Sequence, residues 1–151
     1  MNILFSIKNY AEGGEIPKGL STGATFSWDG SNWSQLGSMK TIRAHHACVE
    51  VDGFMFALGG GNRFDRELKS VEKLNLATGE WSNGPDLPYA VSYVQAVNIH
   101  GEIYEVGGEG SGGKIVKMVG NTWEQVSDYG FDGAGLFSNP PIVTSDQVMC
   151  L

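Results

Sequence analysis

"GFMFALGG" occupies Gly53–Gly60, and "GEIYEVGG" occupies Gly101–Gly108. Each opens on a glycine, runs through five mostly apolar residues and closes on a glycine pair, and the interval between them is 48 residues at both ends. A pattern repeated at one spacing marks a chain built in units, and repeats of this period decide the fold. The same shift places Trp33 on Trp81 and Met39 on Leu87. It also lays "CVEVDGFMFALGG" over "AVNIHGEIYEVGG", so that Val49 meets Val97, Val51 meets Ile99 and Phe56 meets Tyr104. Trp123 follows Trp81 by only 42 residues. The difference falls after the doublet, where "GNRFDRELKS" is long and "EGSGG" is short, and length changes belong in loops.

Fainter copies flank the two full units. "GATFSWDGSNW" lies on "VEKLNLATGEW" at a shift of 48, and "PIVTSDQVMCL" lies on "AVNIHGEIYEV" at a shift of 45. The repeat segment is therefore 23–151, with units near 23–40, 41–88 and 89–130 and a partial one at 131–151. Residues 1–22 are a partial first unit or an irregular lead-in, with "ILFSI" as a candidate strand.

Each full unit reads as four short strands. In the first these are "AHHACVEV", "FMFAL", "VEKLNL" and "WSNG", with Asp52-Gly53 as a two-residue hairpin turn and "ATGE" as a later turn. In the second they are "SYVQAVNI", "EIYEV", "KIVKMV" and "TWEQV". Strands of five to eight residues at spacings near ten predict an all-β architecture. With 22 glycines in 151 residues, helices are disfavoured.

Hydrophobic residues at 41% and charged residues at 18% describe a globular chain with a core. The net charge of −7 weighs against nucleic acid and anionic membrane as partners, because both attract basic surfaces. No apolar run approaches the roughly 18 residues that a spanning helix requires, and "NILFSI" is too short for the apolar region of a secretory signal. Cys48 and Cys150 cannot build a disulfide framework. Both stand in apolar strand-like stretches and are expected to be buried free thiols, which makes a reducing compartment, the cytoplasm, the expected location, with an extracellular one, where the "NWS" sequon at Asn32 would be glycosylated, as the alternative.

Catalysis has no visible carrier. "ALGGGNR" and "VGGEGSGG" lack the ordered lysine and hydroxyl, and the following helix, of a phosphate-binding loop. His45 and His46, read as adjacent strand residues, point to opposite faces and cannot share a metal ion; a structural or loop role is expected. Glu102 and Glu105 lie on opposite faces of one strand, Asp128 and Asp132 lie in a glycine-rich loop, and none is surrounded in a way that predicts a raised pKa. No serine sits in a nucleophile setting. The expectation is a protein that is not an enzyme and holds no cofactor or metal. Binding has a candidate in the loop Gly61–Glu67, which carries Arg63, Phe64, Asp65 and Arg66; arginine and aromatic residues on a loop dominate protein interfaces. Arg43 and Tyr93, in the segments leading into the first strands, are expected on the same face.

The succession of apolar strand, glycine turn, apolar strand with Tyr104, glycine doublet, strand, turn and tryptophan resembles the kelch repeat, whose period is about 50 residues. Gly59-Gly60 and Gly107-Gly108 match the doublet, and Trp33, Trp81 and Trp123 match the tryptophan. "SMKTIRAHH" and "DLPYAVSYV" match the linker between units. The resemblance implies kelch-type β-propeller blades of four antiparallel strands in an incomplete ring, with the tryptophans wedged where blades meet. About three blades leave apolar end faces, so further blades are expected beyond this segment, in preference to self-association of copies to close the ring. The function implied is a protein–protein interaction scaffold, as in ubiquitin-ligase substrate adaptors and actin-binding proteins. The alternative is a propeller enzyme acting on sugars, such as a sialic acid mutarotase-like protein. A copper radical oxidase fits poorly, since His45 and His46 are adjacent and both cysteines lie in strands.

Overall fold

The computed structural model describes residues 23–130 throughout, together with the backbones of the strands at 3–6, 142–143 and 148–149. Among the described residues there are thirteen strands and no helix. β1 (Ile3–Ser6), β2 (Ala24–Trp28) and β3 (Trp33–Ser38) form a first sheet in the order β1-β2-β3. β4 (Ala47–Val51), β5 (Phe54–Leu58), β6 (Val71–Asn75) and β7 (Glu80–Asn83) form a second. The third comprises β8 (Gln95–Ile99), β9 (Glu102–Val106), β10 (Lys114–Val119) and β11 (Thr122–Asp128). β12 (Ile142–Val143) and β13 (Val148–Met149) pair as a short hairpin. Every pairing is antiparallel, and the second and third sheets are four-stranded meanders, the blades that the repeat predicts. The sheets do not close into a ring.

The hairpin turns follow from their residues. Asp52 and Gly53 have φ of 51° and 78°, and His100 and Gly101 have 53° and 85°. Positive φ at both central positions is the turn whose twist matches a two-residue hairpin. The innermost strands alternate, with Ala47, Val49 and Val51 buried on β4 and Cys48 and Glu50 outside. Cys48 is thus exposed, against the expectation of a buried thiol, because period-two alternation with alanine and valine facing the core puts position 48 on the opposite face. Cys150 lies outside the described residues. β5 behaves differently: Met55, Phe56, Ala57 and Leu58 are all buried, so both faces of the sheet are covered there. One core cluster joins the second and third blades, with Val49, Phe56, Leu58 and Val71 from one and Val94, Ile103, Val116 and Trp123 from the other.

The indoles lock neighbouring blades. Trp81 Nε1 donates to the Gly37 carbonyl of the first blade at 3.0 Å, and Trp123 Nε1 donates to the Pro85 carbonyl of the second at 2.8 Å. The acceptors keep the 48-residue interval, at positions 37 and 85, while the donor tryptophans are 42 apart because the loop between them is shorter. Trp33 departs from the expected wedge. It is 54% exposed, its ring lying 5.3 Å from that of Trp28, and no sheet covers this side among the described residues.

The doublets answer to a close approach of backbone. At Gly60 (φ +90°) a Cβ would stand 2.5 Å from the Ala44 carbonyl oxygen, and at Gly108 (φ +91°) 2.6 Å from that of Ser92, the equivalent residue one unit on. Both requirements exclude a side chain. Gly60→Ala is expected to lower stability by at least about 2 kcal/mol, read as a fall in the urea midpoint with an unchanged slope. A variant as stable as the parent would show that this approach is not needed.

Candidate interaction face

The linkers entering β4 and β8 are bent in the same way. The expected strand "AHHACVEV" begins only at Ala47, because His45 takes a left-handed φ of 55°; Tyr93, its equivalent at the 48-residue shift, has φ of 53°. Such φ values are uncommon for residues with a Cβ and are held here by flanking bridges: Ala44 pairs with Gly61, Ser92 with Glu109 and Leu68 with Val91. The consequence is that two repeat-equivalent rings meet across the blade junction, His45 stacking on Tyr93 with centroids 4.1 Å apart.

Beside this stack lies a cleft of about 310 Å³, lined by His45, Asn62, Arg63, Arg66, Tyr93 and Glu109 together with Ala44, Gly61 and Ser92. Arg66, on the long loop of the second blade, pairs with Glu109 on the short loop of the third. The structure thus brings Arg63, Arg66 and Tyr93 together around one concavity. Phe64 and Asp65 stand exposed on the same loop without lining the cleft.

Arg43 does not belong to this face. Its side chain is fully buried, with Nη1 donating to the carbonyls of Gly59 (2.7 Å) and Ser70 (2.8 Å) and Nη2 to Ser70 Oγ (3.0 Å) and Glu72 Oε1 (2.9 Å). It ties the doublet exit to β6 and has no reach to a partner. Glu72 also accepts from the amides of Lys40 (2.7 Å) and Thr41 (2.9 Å). Burial alone would push its carboxyl up; the two amides and the guanidinium outweigh that and hold it below the ordinary range.

The third blade solves the same position differently. Val91 replaces Arg43 and, by ladder register, Val116 replaces Glu72: Ala57 faces Glu72 across one ladder, and Glu105 faces Val116 across the other. The buried acid has moved to the neighbouring strand. Glu105 is fully buried and takes a 2.5 Å hydrogen bond from the Tyr89 hydroxyl, while its Oε1 has no hydrogen-bond partner among the described residues. Burial pushes its carboxyl up to about 8, against which the Tyr89 hydrogen bond works. This corrects the expectation that no acid here is enclosed; alternation along β9 showed that Glu105 and Glu102 face oppositely, but not that both faces of that strand are covered. Burial, with the Glu105 carboxyl beside it, likewise raises the Tyr89 phenol.

Sequence reasoning missed His45 and Glu109 as cleft residues. The signal for His45 was present, since it is Tyr93 shifted by one unit. Among the described residues no group of histidine, cysteine and acidic side chains could hold a metal ion. Asp132 lies outside them.

A family model, the Kelch motif, matches residues 42–88, the second blade with its linker. The second blade is a kelch repeat. Relatives of the chain include alpha-scruin of Limulus polyphemus, 29% identical over 59% of this chain and 10% of that protein. Kelch-like protein 35 of Mus musculus is 36% identical over 58% of this chain and 15% of its own length. Kelch repeat protein M-T8 of Myxoma virus is 24% identical over 94% of this chain and 28% of its own length. The chain spans less than a third of the length of each of these relatives.

Proposed function

We propose that this kelch segment is a protein-interaction module, of the kind that engages a substrate or a cytoskeletal protein, and that it docks its partner on the face formed by the loop Gly61–Glu67 and the linkers at His45 and Tyr93. The observation that carries this reading is the gathering of Arg63, Arg66 and Tyr93 around one cleft, beside an exposed Phe64, on loops held by a rigid pair of blades. Arginine and aromatic side chains are the residue types that supply most interface energy. Of the six large hydrophobic residues exposed among the described residues, Ile42, Phe64 and Tyr93 belong to this loop and these linkers. The names of the Kelch-like and BTB-containing relatives support the general class. The net charge of −7 favours protein over nucleic acid or anionic membrane, and the exposed thiol of Cys48 favours the cytoplasm. Relatives several times longer than this chain favour further blades, rather than a second copy, as what completes the ring.

The test is a pull-down with purified tagged protein, comparing the parent with an Arg63→Ala/Tyr93→Ala variant. Proteins held by the parent are expected to be lost from the variant while the melting temperature stays within about 2 °C, since exposed substitutions cost little. Capture of the same proteins by both would remove this face from consideration.

A further inference from the structure

We infer that the tip of the Gly61–Glu67 loop is a preformed knob, and that the partner is a folded protein presenting a concave apolar pocket for Phe64, with a carboxylate at its rim for Arg63. This rests on the interaction-module reading and adds to it which partner shape the face accepts.

The loop backbone is pinned at nearly every step. Asn62 Oδ1 accepts from the amides of Phe64 and Asp65, both at 2.9 Å, while the Asn62 amide donates to the Asp65 carbonyl at 2.7 Å. Asn62 Nδ2 donates to the Ile42 carbonyl at 3.2 Å, anchoring the turn to the linker. Gly61 exchanges both of its backbone hydrogen bonds with Ala44, and the Leu68 amide returns to the Gly60 carbonyl at 2.7 Å. On this fixed backbone Phe64 is 78% exposed, the most exposed of the large hydrophobic residues described. The Arg63 guanidinium lies over its ring, 4.4 Å from the centroid.

An aromatic held outward on an ordered turn is costly to leave in water and loses little conformational freedom when a partner covers it, which is the condition for a dominant contact. The shape follows from its convexity: an extended peptide lying in the cleft would touch Tyr93 and Arg66, whereas only a recess encloses a projecting ring. The charge follows from the two arginines. Arg66 is already paired with Glu109, while Arg63 has no ion pair among the described residues and stands beside the ring that would enter the recess. A carboxylate at that rim matches it.

The probes are two displayed libraries panned against the 151-residue chain, one of folded domains with concave binding faces and one of random linear peptides. Binders are expected chiefly from the folded library, and to lose about 30-fold or more in affinity for Phe64→Ala, about tenfold for Arg63→Ala and only about threefold for Tyr93→Ala. Phe64→Ala should melt with the parent, which confirms that lost binding is not lost folding. Binders that tolerate Phe64→Ala but depend on Tyr93 and Arg66 would overturn the knob and leave the cleft as the docking site. Binders indifferent to all of these positions would overturn both.

Discussion

Arg43→Ala is expected to destabilise the protein by about 3–5 kcal/mol, a large share of the roughly 5–15 kcal/mol that a domain possesses. The cost is less the lost ion pair than what remains. Glu72 stays buried as a charge that has lost its guanidinium, the Gly59 carbonyl loses the Arg43 donor, and the Ser70 carbonyl is left with the Gly59 amide alone. The third blade shows the remedy, because it fills the equivalent positions with Val91 and Val116, both buried. An Arg43→Val/Glu72→Val double variant should therefore recover much of the loss, as buried ion pairs exchanged for packed apolar groups often do. Recovery should remain incomplete, since the amides of Lys40 and Thr41 lose the Glu72 carboxylate that accepts them. The third blade avoids part of that problem as well: the equivalent of Lys40 is Pro88, which has no amide hydrogen. Adding Lys40→Pro should help further. Urea unfolding of the four proteins checks the series, and a double variant no more stable than Arg43→Ala would refute it.

Glu105→Gln is expected to stabilise the protein near neutral pH and to flatten its dependence on pH. In the folded state the Glu105 carboxyl keeps its proton to about pH 8, whereas in the unfolded chain it ionises around its ordinary 4.5. Between those values the folded state holds a proton that the unfolded state has released. Raising the pH therefore favours unfolding, by up to about 1.4 kcal/mol per pH unit from this group. Above the upper value both states are ionised and the slope disappears. Glu72 works in the opposite sense: its lowered pKa contributes stability above its ordinary value of 4.5, lost as the pH falls below it. Parent stability is thus expected to peak near pH 5 and to decline on both sides. Glutamine keeps an oxygen for the Tyr89 hydroxyl while removing the ionisation, so the alkaline decline should vanish from the variant alone. A parent whose stability is level between pH 5 and 8 would refute the buried acid.

The architecture was legible because its signals are local or periodic. Asp52-Gly53 and His100-Gly101 demand a particular turn whatever surrounds them, and a 48-residue shift aligns doublets, tryptophans and linkers without reference to three dimensions. Arg63, Phe64, Asp65 and Arg66 were legible as loop residues on the same grounds. Arg43 and Tyr93, both in linkers, looked alike in sequence, yet one is buried against Glu72 from the next-but-one strand and the other is 44% exposed over His45. Glu105 illustrates the same limit. Its enclosure involves Ala96 and Val116 on the flanking strands and Tyr89 from the linker, and alternation reports only which face a residue takes.

The chain's own periodicity determined the blades, their turns and the residues at each junction, because turn geometry and strand alternation act over a few residues. Which side chains become a cleft, which become buried charges and which of two equivalent positions meets solvent was decided only when the second and third blades packed together. Those outcomes depend on distances between residues as far as 48 positions apart, as when the Asn98 side chain donates to the Glu50 carbonyl at 2.9 Å across the junction. Burial is a property of that assembled pair, and no single unit contains it.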